Sequence, residues 1–302
     1  MPSNMLINNR TASTLLVGDV IAERAYYGSS AIFIPSLVSA TGGTETVIEQ
    51  GGRFYRVHTF LSGGTLTVTQ GGVFVEYLVV GGGGVGLNGG GGGGRFRKFV
   101  ANETGNTGDP LAVIEGDYDV IVGPGGVNNM SGRAGDRTAP SGLPSSFLSI
   151  LAPGGDGAFN SDGTDIREGG DGGSGGGAST SSDNPPGDGG TNGGNGGAAQ
   201  RGDGGLGQGT PTETTINGVL NRFSGGGGGG VFSGAEAGTG GLGGGGNGSR
   251  GNNPASDGET NTGGGGGGGG SASNAENGGN GGSGIVIVRY EITEAEYDAE
   301  AA

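Results

Sequence analysis

Eight consecutive glycines at residues 263–270 narrow what this chain can fold into more than any other feature. Further runs stand at residues 81–84, 89–94, 225–230 and 243–246. Elsewhere the glycines keep a three-residue rhythm, as in GGDGGSGGG from Gly169, GGNGG from Gly193 and GGNGGSG from Gly278. Three residues per turn is the repeat of the polyproline II helix, which makes no internal hydrogen bonds. Such a helix must bond sideways to others, and only glycine lets backbones come that close. A G-G-x segment has two bare faces and one side-chain face. An all-glycine run is bare all round and suits the middle of a bundle.

A flexible glycine-rich linker is the competing explanation. Two observations oppose it. The rhythm persists through separate runs, and the runs are bracketed by two β-prone segments, Val73–Val80 and GIVIVRYEI at residues 284–292. The predicted fold class is therefore all-β with a polyglycine/polyproline II bundle and no significant α-helix. The two bracketing segments are expected to lie in one sheet and tie off the bundle.

Of 302 residues, 84 are glycine and none is cysteine or tryptophan. Only ten large apolar side chains occur between residues 155 and 284, too few for an ordinary core. That region must be held by backbone bonds, each contributing about 1 kcal/mol net. A net charge of −15 opposes binding to nucleic acid. No apolar stretch is long enough to insert in a membrane, and MPSNMLINNRTAS lacks the apolar centre of a secretory signal. With one histidine, His58, and no cysteine, zinc sites and His- or Cys-based triads are not expected. His58 alternates with Phe60 in a strand pattern, which favours a structural role. No cofactor and no enzyme activity are expected. Arg201-Gly202-Asp203 is a chance integrin tripeptide in a chain this rich in glycine and aspartate.

In chain order, residues 1–38 form a small β-module, with turn signals at Gly18-Asp19 and Gly28-Ser29. Residues 39–80 hold four candidate strands separated by Gly-Gly turns. Residues 81–284 form the glycine bundle, interrupted by a hairpin at 111–126 and an apolar strand near Phe147. Residues 285–302 supply a closing strand and a solvated acidic tail, frayed helix or disordered.

Two segments, YLVVGGGG at 77–84 and GGSGIVIVRY at 281–290, resemble the glycine-rich domain of bacteriophage tail-fibre and adhesin proteins. YRVHTFLSGGTLTV at 55–68 and GDYDVIVGPGG at 116–126 fit the same pattern, so the resemblance spans roughly residues 42–292. It implies a polyglycine II sandwich with receptor-binding loops at one end. Residues 15–35 look like a short N-terminal module of phage fibre and virion proteins, which implies attachment to other virion or fibre proteins.

On that resemblance the chain is expected to be a tail-fibre or adhesin subunit on the virion, binding a host cell-surface receptor, either a saccharide or an outer-membrane protein. The alternatives are a capsid decoration or head fibre using the bundle as a spacer, or an ice-binding protein. A homotrimer is compatible with the sequence, but no heptad or collagen pattern requires it. The long spacers at 208–224 and 248–262 are expected to share one end of the bundle and form the receptor-facing tip. Their candidate contact residues are Thr210, Thr212, Thr214, Asn217, Asn221, Arg222, Phe223, Arg250, Asn252, Asn253 and Asp257.

Overall fold

The computed structural model describes residues 38–71, 73–130, 137–161, 166–179, 212–231, 236–270 and 277–301, with short strands between residues 16 and 33. Those strands form two antiparallel pairs, β1 (Leu16–Val17) with β2 (Val20–Ile21) and β3 (Ala25–Tyr27) with β4 (Ser30–Phe33). Next come β5 (Ser39–Thr41), β6 (Thr44–Gln50), β7 (Arg53–Phe60), β8 (Gly64–Gln70) and β9 (Val73–Val80). Inside the glycine-rich region lie β10 (Phe96–Phe99), β11 (Leu111–Val113), β12 (Gly116–Ile121), β13 (Arg137–Thr138), β14 (Ser145–Phe147) and β15 (Ile150–Ala152). They are followed by β16 (Phe159–Ser161), β17 (Ile166–Glu168), β18 (Thr212–Thr214) and β19 (Asn221–Phe223). Strand β20 (Ile285–Ile292) and helix α1 (Glu294–Ala301) complete the elements.

Two sheets pack face to face. One has the order β10-β9-β20-β7-β6, with β11 also on β9; the other has the order β15-β14-β12-β8-β5. Val75, Tyr77 and Val79 of β9 and Val286 and Val288 of β20 face Leu66, Val120 and Phe147 of the second sheet. Strand β20 pairs antiparallel with β9, Leu78 opposite Ile287 and Val79 opposite Val286. The two segments bracketing the glycine region therefore do share a sheet. Inside–outside alternation is lost in both, and they are mostly apolar, broken by Glu76 in one and by Arg289 and Glu291 in the other, because the sheet is buried on both faces. Its second face packs Val57, Leu78, Val80 and Ile287 against Ile216 and Phe223.

Two sequence expectations change here, and a third is narrowed to one of its alternatives. Residues 111–126 are not a hairpin: β11 pairs with β9, and β12 lies between β8 and β14. Residues 81–284 are not one unit, since β10, β11, β12, β14 and β15 return from the glycine runs to the sandwich. The acidic tail is ordered as helix α1, opened by a capping box in which Thr293 and Glu296 bond reciprocally.

Beyond the sandwich the chain runs back and forth as extended glycine segments bonded sideways, with a period of three. In run 81–87, Gly81, Gly84 and Leu87 donate to Arg95, Gly92 and Gly89. Gly82 and Val85 donate to Leu143 and Pro140, and Gly83 and Gly86 to Gly282 and Gly279. The same run accepts from runs 123–128, 153–158 and 263–270, so it has six bonded neighbours. Runs 89–95 and 263–270 are also bonded to six neighbours each, and the three bond to one another. This is a hexagonal lattice of three-residue-per-turn helices.

Around the central three stand runs 123–128, 139–144, 153–158, 169–173, 174–179, 224–231, 245–250, 254–259 and 277–284. Run 236–241 lies outside this ring, bonded to 224–231 and 245–250. Two central runs, 89–95 and 263–270, are glycine throughout except for Arg95, as bareness on every face requires, while 81–87 also carries Val85 and Leu87, which pack against Ala139 and Ala158. A Cβ on Gly266 would lie 2.1 Å from the Gly279 carbonyl oxygen, and one on Gly86 would lie 2.1 Å from that of Gly267. Not every glycine of the long repeats belongs to a straight run. Gly243, Gly244 and Gly263 have φ of 96°, 91° and 71° and form turns, which only glycine adopts without strain.

Proline marks the perimeter. Pro124, Pro140, Pro144, Pro153 and Pro254 all lie in perimeter runs. A residue without an N–H costs nothing where the lattice offers no acceptor. The runs have two ends. At the sheet end they meet strands, as at Val80/Gly81, Gly284/Ile285 and Ala152/Pro153, and Ser145 Oγ clamps the junction by donating to the Val80 carbonyl at 2.6 Å. At the far end they turn at Leu87–Gly89 and near Asn252, beside the small sheet β13-β16-β17.

Candidate functional site

The spacer at 212–223 folds as hairpin β18–β19 and is fastened to the sandwich at the sheet end. Of its four large apolar side chains, Val219 and Leu220 are exposed at the turn, while Ile216 and Phe223 insert into the core beneath β20. Two buried cations hold it there. Arg289 bonds Glu76 at 2.6 Å and the Ile216 carbonyl at 3.1 Å, and its guanidinium lies 4.2 Å from the Tyr55 ring centre. Lys98 donates to Glu103 at 2.9 Å and to the Glu213 carbonyl at 2.9 Å. Glu103 in turn accepts from the Thr215 N–H and hydroxyl, both at 2.7 Å. Burial pushes the Glu103 carboxyl up, but the bonds from Lys98 and Thr215 outweigh it and hold the group below the ordinary range.

This placement corrects the expected tip. Thr212, Thr214 and Phe223 are buried and paired within the hairpin, so they are structural. Arg222 is exposed and bonds Glu213 at 2.7 Å. Asn217 and Asn221 are half-buried at the hairpin turn, joined by a 2.7 Å bond. Thr210 lies outside the described residues. The second spacer, 248–262, is not a loop at all over most of its length. It turns at the far end near Arg250, Asn252 and Asn253, crosses the bundle as run 254–259, and turns again at 260–263. Asp257 lies along that run and accepts from the Asn280 N–H at 2.7 Å. The candidates therefore divide between opposite ends, because a spacer read as one loop contains a hidden run. The rhythm of Gly248, Gly251 and Gly258 is too sparse to reveal it.

The two spacers do meet at the sheet end. The hairpin turn and the 259–262 turn border a crevice of about 440 Å³. Its apolar lining is Leu220, Phe223, Ile285 and Ile287, with Gly243 and Gly244 beside them. The polar lining includes Thr59, Asn217, Asn221, Glu259, Thr260 and Asn261. Glu259, Thr260 and Asn261 were not singled out by sequence reasoning; their signal is the cluster ETNT directly before the longest glycine run.

His58 is fully buried in β7. Its Nδ1 is 2.8 Å from the Gly42 carbonyl, which can only accept, so Nδ1 carries the proton. Its Nε2 faces the Tyr290 hydroxyl at 3.3 Å. Burial lowers its pKa, and its place between two strands is that of a structural group. Among the described residues no cluster of His, Cys, Asp and Glu could hold a metal ion, and no helix is long and apolar enough to cross a membrane.

No curated protein matches the chain. The family profile described as a glycine-rich domain matches residues 59–291. That span begins in β7, ends in β20 and takes in every run of the lattice; the chain belongs to the glycine-rich domain family.

Proposed function

We propose that the protein is a phage tail-fibre or adhesin subunit, carried on the virion, that binds a host cell-surface receptor. The observation that carries this reading is the division between interior and ends. Inside the lattice nearly every position is glycine, closed to side chains by carbonyl oxygens about 2 Å from any added Cβ. Polar side-chain variety is pushed to the turns and the perimeter. Recognition residues on loops above a rigid frame are the usual arrangement of a binding protein. The N-terminal module is the part that attaches to the particle.

The test is adsorption of the purified, labelled full chain to a panel of bacterial strains, with antibody labelling of its position on the particle. Saturable binding to some strains and a label on a tail fibre are the expected results. Binding to no strain, with the label on the capsid, would replace this reading with that of a decoration protein.

A further inference from the structure

We infer that the crevice at the sheet end is a saccharide site, taking a neutral or amino-sugar oligosaccharide terminus. The inference rests on the adhesin reading and names the receptor chemistry. Three of the polar side chains around this crevice are fully partnered. Arg222 is neutralised by Glu213. Asn221 spends both amide protons on Asn217 Oδ1 and the Val219 carbonyl. Thr262 Oγ1 donates to the Glu259 carbonyl and accepts from Gly264.

Five groups remain without a bond among the described residues: the Glu259 carboxylate, the Thr59 and Thr260 hydroxyls, and the Asn217 and Asn261 amide nitrogens. They include acceptors, donors and groups that are both. The apolar surface beside them is Leu220, 57% exposed at the hairpin turn, backed by Phe223 and Ile287, which are 5% and 1% exposed and close the base. Alternating hydroxyls and C–H faces on one small ring match that mixture better than a phosphate or a hydrocarbon does. The one charge left uncompensated is negative, which favours an amino sugar over an anionic one.

The walls are held in place before any ligand arrives. Ser283 Oγ fixes the turn by donating to Asn261 Oδ1 at 3.2 Å and accepting from Asn261 N at 2.9 Å. Buried Lys98 and Arg289 fix the hairpin. The volume of about 440 Å³ lies toward the small end of the roughly 300–1,000 Å³ typical of small-molecule sites, which suits a chain terminus.

The test uses the full chain on a printed panel of neutral, amino and acidic bacterial oligosaccharides. Glu259→Gln and Thr260→Val keep the shape of each side chain, and both residues are exposed, so the melting temperature should not move. The expected result is retention of neutral or amino sugars, weakened about tenfold or more by either substitution. Failure to retain any sugar, preference for acidic sugars, or unchanged binding by both variants would overturn the site. Adsorption to cells is measured in parallel. Variants that adsorb like wild type sink the crevice and leave the adhesin reading intact, whereas a wild type that adsorbs to nothing sinks that reading itself.

Discussion

Leu78 and Gly266 are both fully buried, yet they have almost nothing else in common. Leu78 lies in β9 between Ile287 and Lys98, and its side chain meets Val57, Ile216 and Phe223. Gly266 has no side chain, donates to Gly84, accepts from Gly91, and would meet the Gly279 carbonyl with any added carbon. In the sandwich, specificity comes from the shapes of side chains, and the backbone bonds in two directions. In the lattice the backbone bonds in six, and specificity comes from the exclusion of side chains. Water loss from apolar surface favours the first arrangement. The second accumulates many small bonds at about 1 kcal/mol each, against the high entropy cost of ordering glycine.

The sharpest way to break the comparison is Gly266→Val. A branched side chain 2.1 Å from a carbonyl oxygen cannot be absorbed by one neighbour, since every neighbour is itself in the lattice. We expect a loss of about 4 kcal/mol or more, at the exceptional end for a single substitution. Urea unfolding would show this; a soluble Gly266→Val protein with wild-type midpoint would refute side-chain exclusion as the organising force.

Leu78→Ala is the matching experiment in the sandwich. It leaves a cavity under Ile216 and Phe223 and should cost about 2–5 kcal/mol. Native-state amide exchange should separate the two losses. The sandwich variant should loosen β9 and β20 first, while the lattice variant should speed exchange in runs 81–87 and 89–95. Equal acceleration everywhere would mean that the two regions unfold as one unit.

A smaller effect follows from His58. Its pKa in the folded chain is lowered by burial, so between about pH 6.5 and that lower value the unfolded chain takes up a proton that the folded chain refuses. This contribution to stability is complete above about pH 6.5 and is lost as pH falls. The urea midpoint should therefore drop between pH 7.5 and 5.5, and His58→Gln should reduce the drop. An undiminished drop in the variant would assign the effect to other groups.

The mildest change is Pro254→Ala, on the perimeter, which should alter stability by no more than about 0.5 kcal/mol. If it proves as damaging as a central substitution, perimeter and centre are not distinct.

How much of this was readable in advance depended on how many directions a segment had to choose among. Val73–Val80 and Ile285–Ile292 could be matched to each other because each is a mostly apolar, β-prone run of eight residues with few possible partners. The three-residue rhythm likewise announced lateral bonding. Which run bonds to which was not legible. A stretch such as GGGGGG is identical in all six directions, and only Val85, Leu87 and a few other side chains break the degeneracy. The docking of 212–223 was carried by Ile216 and Phe223, and nothing in the spacer distinguished them from Val219 and Leu220, which stay exposed. Helix α1 was signalled by Thr293 and Glu296 at capping-box spacing, but its acidic composition suggested a solvated tail. For the candidate site, the two spacers were expected to share an end, but only the 259–262 turn of the second one meets the hairpin, and Arg250, Asn252 and Asn253 lie at the other end. That depended on run 254–259, which has only one glycine.

Run 236–241, which lies outside the ring of nine among the described residues, shows how such a molecule can lengthen. A new strand in a sandwich must satisfy a register and fill a core, so most insertions there are fatal. A hexagonal array closes no boundary; its rim always offers seats where two existing helices can hold a third. A lineage can add or remove a helix with its two turns at the rim without disturbing the centre. Diversification then proceeds by accretion, with each added helix bringing fresh turns to both ends of the molecule.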